Sequence, residues 1–431
     1  MRVGLTILAA LAAAVSVPAL ARPQPIEPIE IPPSIDQGVD LIYIDPEIKP
    51  EIEKRDALLQ SFGFKDWTGA PIDLFVPVNN MYTQLRRGLM KYKERWGSLP
   101  QIQIPTGAVA MKVGAKDERV SLLRKRLGLS EGTAFDAALD KKIREYQSVH
   151  GLTPDGIVGN GTIASLNKGA DHYERVIILN MERARRLPPS DYDKRYILVD
   201  AGAAKLYMYK GAKAVDSMNV IVGDSDRQTP MMAAELRYIQ LRPYWNVPPD
   251  LTRTIVAKAV LAQGLKYLTD RDYEIYTDWT DNAQRLDPAT VDWQGVYDGR
   301  VSVFLRRGPG PWNSMGDMKF MIPNDFGIYL HDVPDAEEPM FKSDDRWISN
   351  GCIRLQDAKR LEKWVFGDPP TPDGTPDERV DVPNPVPVYI TYFTVAPSAD
   401  GVTFRPDRYN RDEKLLAKVV LDGDTQTASA N

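Results

Sequence analysis

A single cysteine in 431 residues, Cys352, sets the first limit on this chain. No intramolecular disulfide can form, so packed apolar surface and backbone hydrogen bonds must hold the fold unaided. The length allows two or three domains. The N-terminus makes the solitary thiol more telling. Arg2 precedes an apolar run from Leu5 to Val17, and Ala19-Leu20-Ala21 supplies an A-x-A cleavage site before Arg22. That is the layout of a secretory signal peptide, and the run is too short to span a bilayer comfortably. The expectation is an exported chain, cleaved after residue 21, with no integral membrane segment in its mature form. Outside the cytoplasm an unpaired thiol oxidises unless it is buried or put to use. Cys352 is therefore either a small core hydrophobe or a reactive group.

Charge and histidine content remove whole classes of function. A formal charge of -5 and the lack of a basic stripe argue against a nucleic-acid partner. Only His150, His172 and His331 are present, so a multi-histidine metal site is hard to build and no metal or other cofactor is expected.

The chain reads as successive segments. Residues 22–50 form a proline-rich arm, with Pro23, Pro25, Pro28, Pro32, Pro33, Pro46 and Pro50 favouring extended backbone. Residues 51–112 read as a helical scaffold: Tyr82, Leu85, Leu89, Met90 and Tyr92 fall mostly at three- and four-residue steps, before Gly97 and Pro100. Residues 113–168 read as a three-helix module. Asp117 caps a first helix with Val120, Leu123 and Leu127 inside, and Asp136 opens a second through Leu139, Ile143 and Tyr146. A glycine-punctuated turn from His150 to Gly159 leads to a third helix at Thr162. His150, just before a turn, reads as a structural group rather than a ligand. Residues 169–190 return to helix and stop at Leu187-Pro188-Pro189.

From 191 to 410 the period becomes that of strands. Tyr196–Asp200 and Leu206–Tyr209 flank Gly202 as a hairpin, and Val215–Val222, Leu236–Val247, Val301–Leu305 and Val386–Val395 continue in β. Residues 248–300 interrupt this pattern as a helical and aromatic insertion, either a lid over a site or a cover for a sheet edge. Residues 411–431 are expected to end as a disordered polar tail. The expected fold class is α+β, with a mostly β catalytic domain, a helical insertion, a helical scaffold and the three-helix module.

The chemistry concentrates in Ser349-Asn350-Gly351-Cys352-Ile353-Arg354, preceded by Tyr329-Leu330-His331-Asp332. These are parts for thiol acyl transfer: Cys352 as nucleophile and His331, the only histidine of the β region, as base. Amides around Gly351 and Cys352 suit an oxyanion. Arg354 suits lowering the thiol pKa or holding a carboxylate, and strand alternation would point it the same way as Cys352.

Residues 113–168 resemble the peptidoglycan-binding domain found beside cell-wall enzymes, through Val120, Leu123, Arg126-Leu127, Phe135-Asp136, Gln147, Gly151-Leu152, Asp155-Gly156, Gly159, Thr162 and Leu166-Asn167. The β region resembles the L,D-transpeptidases. His331 and the Ser349-x-Gly351-Cys352 motif are separated by residues 332–348, within that family's gap. Val222-Gly223 with Thr229-Pro230, Trp245-Asn246-Val247-Pro248, and Gly308-Pro309-Gly310-Pro311 with Asn313, Gly316 and Phe320 also match it. The size class resembles the large Gram-negative members.

The resemblance implies a periplasmic enzyme acting on peptidoglycan tetrapeptide stems, alone or beside other cell-wall enzymes. Cys352 would attack the carbonyl between diaminopimelate and the terminal D-alanine. His331 would serve as base and acid, oriented by backbone at Asp332, and a second stem's amine would complete a 3,3 cross-link. Tyr329, Trp245, Arg354, Ser349 and Asn350 are candidates for substrate contact. Asn350 stands where the family more often has His, so His331 alone can be the base. Two other readings stay open: a carboxypeptidase or hydrolase with the same nucleophile, and a non-catalytic peptidoglycan-binding scaffold.

Overall fold

The computed structural model describes residues 41–50, 79–280 and 282–419. The signal-peptide reading, most of the proline-rich arm, the first part of the scaffold and the last part of the tail lie outside the described residues. Within them the chain divides into two compact units, Asn246–Arg306 and the remainder, and the architecture mixes helix and sheet.

Apolar alternation produces the strands β1 (Tyr43–Ile44), β2 (Arg195–Asp200), β3 (Lys205–Lys210), β4 (Lys213–Gly223), β5 (Met232–Leu241), β6 (Trp245–Val247), β7 (Tyr273–Tyr276) and β8 (Phe304–Arg307). Beyond them come β9 (Met318–Met321), β10 (Leu330–His331), β11 (Trp347–Ser349), β12 (Ile353–Leu355), β13 (Glu378–Thr391), β14 (Val395–Ser398) and β15 (Gly401–Phe404). The main sheet runs β1-β5-β13-β2-β3-β4-β12-β10-β9, and β9 returns to pair with β5. The strands from β5 round to β9 thus close into a ring, which leaves few open edges. Val199, Leu206, Val220, Leu236, Phe320, Leu330, Ile353 and Val388 are buried in one cluster from its strands.

The expected continuous strand from Leu236 to Val247 is broken. β5 ends at Leu241, Arg242 adopts a left-handed φ of 48°, and Pro243 has no N–H to offer a ladder. The end of the arm is not a free linker. Tyr43 and Ile44 pair in parallel with Met232 and Ala233, and buried Asp45 holds Arg237 at 2.6 Å. The tail is likewise structured at its start. Asp412 forms a 2.6 Å ion pair with the fully buried Arg183, and Glu413–Leu416 is helical. A buried charge pair of this kind fixes residues that polarity alone would assign to solvent.

In the helical part, Asn79 caps the helix Asn80–Tyr92 by accepting from the Tyr82 N–H at 2.9 Å. The module's helices are Arg119–Arg126, Ala137–Val149 and Asn160–Arg185. Asp136 caps the second by accepting from the Leu139 N–H. Asp117 stands one residue before the first helix's cap and bonds the Arg119 N–H at 2.9 Å. The third helix and the returning helix form one run, broken where Gly169 takes φ 83°. His150 is buried, with Nδ1 2.8 Å from the Tyr146 carbonyl and Nε2 3.0 Å from the Tyr92 hydroxyl, and burial lowers its pKa to about 3. One apolar cluster joins Leu85 and Trp96 of the scaffold, Leu123 and Ile143 of the module, and Phe404 of β15. The module's core is thus continuous with that of the scaffold and β15.

The unit Asn246–Arg306 is wider than the expected insertion at both ends. It holds short helices at Lys258–Gln263, Lys266–Thr269 and Trp293–Tyr297, and strands joined in the order β6-β8-β7. Asp292 caps the last helix through the Gly295 N–H, and Glu274 gathers Arg285, Arg306 and the Tyr276 hydroxyl.

Candidate active site

Three short strands set the site. In β10 and β12, which run parallel, Leu330 faces Ile353 and His331 faces Arg354. In β9, antiparallel to β10, Lys319 faces His331. Residues directly opposite in a sheet share a face, and neighbours along a strand alternate. Leu330, Ile353 and Phe320 therefore enter the buried cluster, while Lys319, His331 and Arg354 line the other face. Tyr329 and Cys352 each sit one residue before the first paired position of their strands, and the Ile353 N–H donates to the Tyr329 carbonyl at 3.1 Å.

His331 is buried, with Nδ1 2.6 Å from the Asp332 carbonyl. A carbonyl only accepts, so Nδ1 carries the proton and Nε2 presents its lone pair. The Ser314 backbone acts on the ring in the sense opposite to burial. Burial, with Arg354 and Lys319 nearby, lowers the imidazole pKa to about 3. Asp332 is itself tied down: its carboxylate accepts from the Asp317 N–H at 2.9 Å, and its own N–H donates to the Met318 carbonyl at 3.0 Å.

Cys352 is half-buried, its thiol 3.7 Å from the Gly327 carbonyl. Burial pushes the thiol pKa above its ordinary 9.0, opposed by hydrogen bonds from the Tyr329 backbone and side chain and by Arg354 and Lys319. Burial likewise holds the Tyr329 phenol far above its usual pKa, so its hydroxyl stays protonated beside the sulfur. Thiol and imidazole are thus both neutral at rest.

The Cys352 backbone is aimed by its neighbours. Ser349, buried, donates from Oγ to the Cys352 carbonyl at 2.7 Å and accepts from the Gly351 N–H at 3.2 Å. Thr229, also buried, donates to the Gly351 carbonyl at 2.7 Å and accepts from the Gly223 N–H at 2.9 Å. The peptide is trans, so fixing the Gly351 carbonyl on Thr229 points the Cys352 N–H the opposite way. That N–H meets no acceptor among the described residues, and it is the amide left for an oxyanion. The Gly351 N–H, expected to share that task, is held by Ser349. Gly351 itself takes φ 109°, a conformation side chains disfavour.

The other candidates divide. Ser349 is committed to this loop, not to a substrate. Arg354 is paired with Glu337 at 3.0 Å. Exposed Asn350 accepts from the Arg227 guanidinium. The ring of Trp245 lies under the Arg307 guanidinium at 5.4 Å, a packing contact. Thr229, Lys319 and Glu337 were not singled out as site residues. Thr229 was visible only as part of a matched segment, and a lysine in a four-residue strand reads as solvent-facing until the register is known. Among the described residues no cluster of side chains could hold a metal ion.

Residues 194–388 match the YkuD family, the L,D-transpeptidase catalytic domain. The chain carries an L,D-transpeptidase catalytic domain. Residues 121–166 match a "Putative peptidoglycan binding domain". The L,D-transpeptidase domain lies within the stretch read as β, and the peptidoglycan-binding match falls on the three-helix module. A relative from Haemophilus influenzae, described as a "Putative L,D-transpeptidase", is 27% identical over 255 residues, covering 57% of this chain. The chain spans half the length of that relative. Solved structures similar to it include an L,D-transpeptidase from Mycobacterium smegmatis, at 11% identity, covering 46% of this chain and 58% of that one with a TM-score of 0.22. Another is the catalytic domain of the E. faecium L,D-transpeptidase, at 15% identity, covering 46% and 98% with a TM-score of 0.20.

Proposed function

We propose that this chain is a periplasmic peptidoglycan L,D-transpeptidase that forms 3,3 cross-links through a thioester on Cys352. The observation that carries this reading is a lone, half-buried thiol hydrogen-bonded by Tyr329, whose ring lies 5.8 Å from an imidazole whose Nδ1 is fixed on the Asp332 carbonyl. All three side chains lie within the matched catalytic domain.

The chemistry starts from a neutral pair. As Sγ approaches the carbonyl between diaminopimelate and D-alanine, His331 Nε2 takes the thiol proton. The Cys352 N–H and the Tyr329 hydroxyl would meet the developing oxyanion. The C–N bond then breaks, the imidazolium returns its proton to the leaving nitrogen, and D-alanine departs. A second stem's amine attacks the thioester, gives up a proton to His331, and releases the cross-linked product with the thiol restored. The peptidoglycan-binding match supports the same substrate.

The test is incubation of the purified chain with isolated tetrapeptide muropeptides, followed by mass spectrometry. Cross-linked dimers and released D-alanine are expected, and Cys352→Ala should yield neither while keeping its fold by circular dichroism. Shortened stems without dimers would make the chain a hydrolase. Turnover by Cys352→Ala would end the thioester mechanism.

A further inference from the structure

The face that carries His331 also carries two cations, and they are not equivalent. Arg354 is neutralised by Glu337 at 3.0 Å. Lys319 is not: among the described residues its ammonium makes one hydrogen bond, to the Tyr244 carbonyl at 3.3 Å, and no carboxylate lies within ion-pair distance. Asp377 is the acidic group that acts on it, from beyond that range. The ammonium lies over the Tyr329 ring, 5.5 Å from its centre, and acts electrostatically on Cys352 and His331. A half-buried ammonium with spare donors and no counter-ion is unfavourable unless something anionic arrives. Sequence alone favours Arg354 as the group to hold a substrate carboxylate, and the structure has already given Arg354 a partner.

We propose that Lys319 is a substrate-binding residue that receives a carboxylate of the donor stem, restricting donors to stems that present a free carboxylate near the scissile bond. This rests on the acyl-transfer reading above. A tetrapeptide donor offers two such groups, the C-terminal carboxylate of the leaving D-alanine and the carboxylate on the diaminopimelate side chain. Either satisfies the chemistry of one ammonium with unused N–H donors.

The test compares acylation of Cys352 by three donors: a free tetrapeptide stem, its C-terminal amide, and a stem amidated on the diaminopimelate side chain. Wild type should favour the free stem over one of the amides by about tenfold or more in kcat/KM. Lys319→Met should erase that preference by losing rate chiefly on the free stem, and Lys319→Arg should keep part of it. The amide that wild type rejects names the carboxylate. Alkylation of Cys352 by uncharged iodoacetamide monitors the folded site: Lys319→Met should still be labelled, with its pH profile displaced upward by loss of a nearby cation. If wild type ignores both amidations, or Lys319→Met retains the preference, the assignment is wrong. It is equally wrong if Lys319→Met shifts the alkylation profile while discrimination survives, which would make the lysine only an electrostatic partner of the thiol. Wild type acylated by no stem at all would instead sink the transpeptidase reading, and this assignment with it.

Discussion

At the scale of single residues, the site is set by neutral groups. Burial raises the Cys352 thiol and lowers the His331 imidazole to about 3, so no thiolate–imidazolium pair exists at rest. The rate of iodoacetamide labelling should therefore climb through pH 9 without a plateau near neutrality. A plateau at pH 6 to 7 would contradict this. The two buried histidines also bear on stability. His150 and His331 both have folded pKa values of about 3, below the ordinary 6.5, so the unfolded chain binds more protons between those limits. Their contribution is complete above about pH 6.5 and is lost as pH falls toward 3. Urea midpoints should decline over that window, and His150→Gln should flatten part of the slope. Thr229→Val removes a hydroxyl that joins Gly223 to Gly351. A cost of about 1–3 kcal/mol is expected, with acylation slowed about tenfold or more by loss of the oriented Cys352 amide. Unchanged acylation would remove Thr229 from the site.

At the scale of elements, the break at Gly169 separates intrinsic preference from required conformation. Helix propensity favours alanine over glycine, yet Gly169 has φ 83°, and a Cβ there would stand 2.9 Å from the Gln101 side chain. Gly169→Ala should therefore destabilise by about 1–2 kcal/mol, read as a lowered urea midpoint; a raised midpoint would mean the helix can run straight. The sequence announced the helices because caps and periodicity are local: Asp136 and the Val120, Leu123 face needed no tertiary knowledge. It also announced Cys352 and His331, a lone thiol and the lone histidine of the β region. It could not announce Lys319, whose role follows from register between strands of two to four residues, or Glu337, which reaches Arg354 from the 3-10 turn Asp335–Lys342. Nor could local polarity show that Asp45 and Asp412 are buried, since each is matched by an arginine distant in the chain.

At the scale of the whole chain, the residues beyond the catalytic match return to the helices. Asp412 accepts from Thr394 Oγ1 at 2.6 Å and faces Arg183 at the same distance. Asp412→Ala removes the carboxylate that faces a guanidinium with no exposure, and a loss of about 3–5 kcal/mol is expected in chemical denaturation. A loss under about 1 kcal/mol would show that water reaches Arg183. The sheet order carries a different consequence. β13, flanked by β5 and β2, makes the ring's longest pairing, with β5, yet it follows β2 to β12 in the chain. A nascent chain that has delivered β2 to β5 still lacks the plank that joins them. Vectorial, piece-by-piece closure of the ring is thereby ruled out, and it must await β13, long after β2 to β5 have emerged.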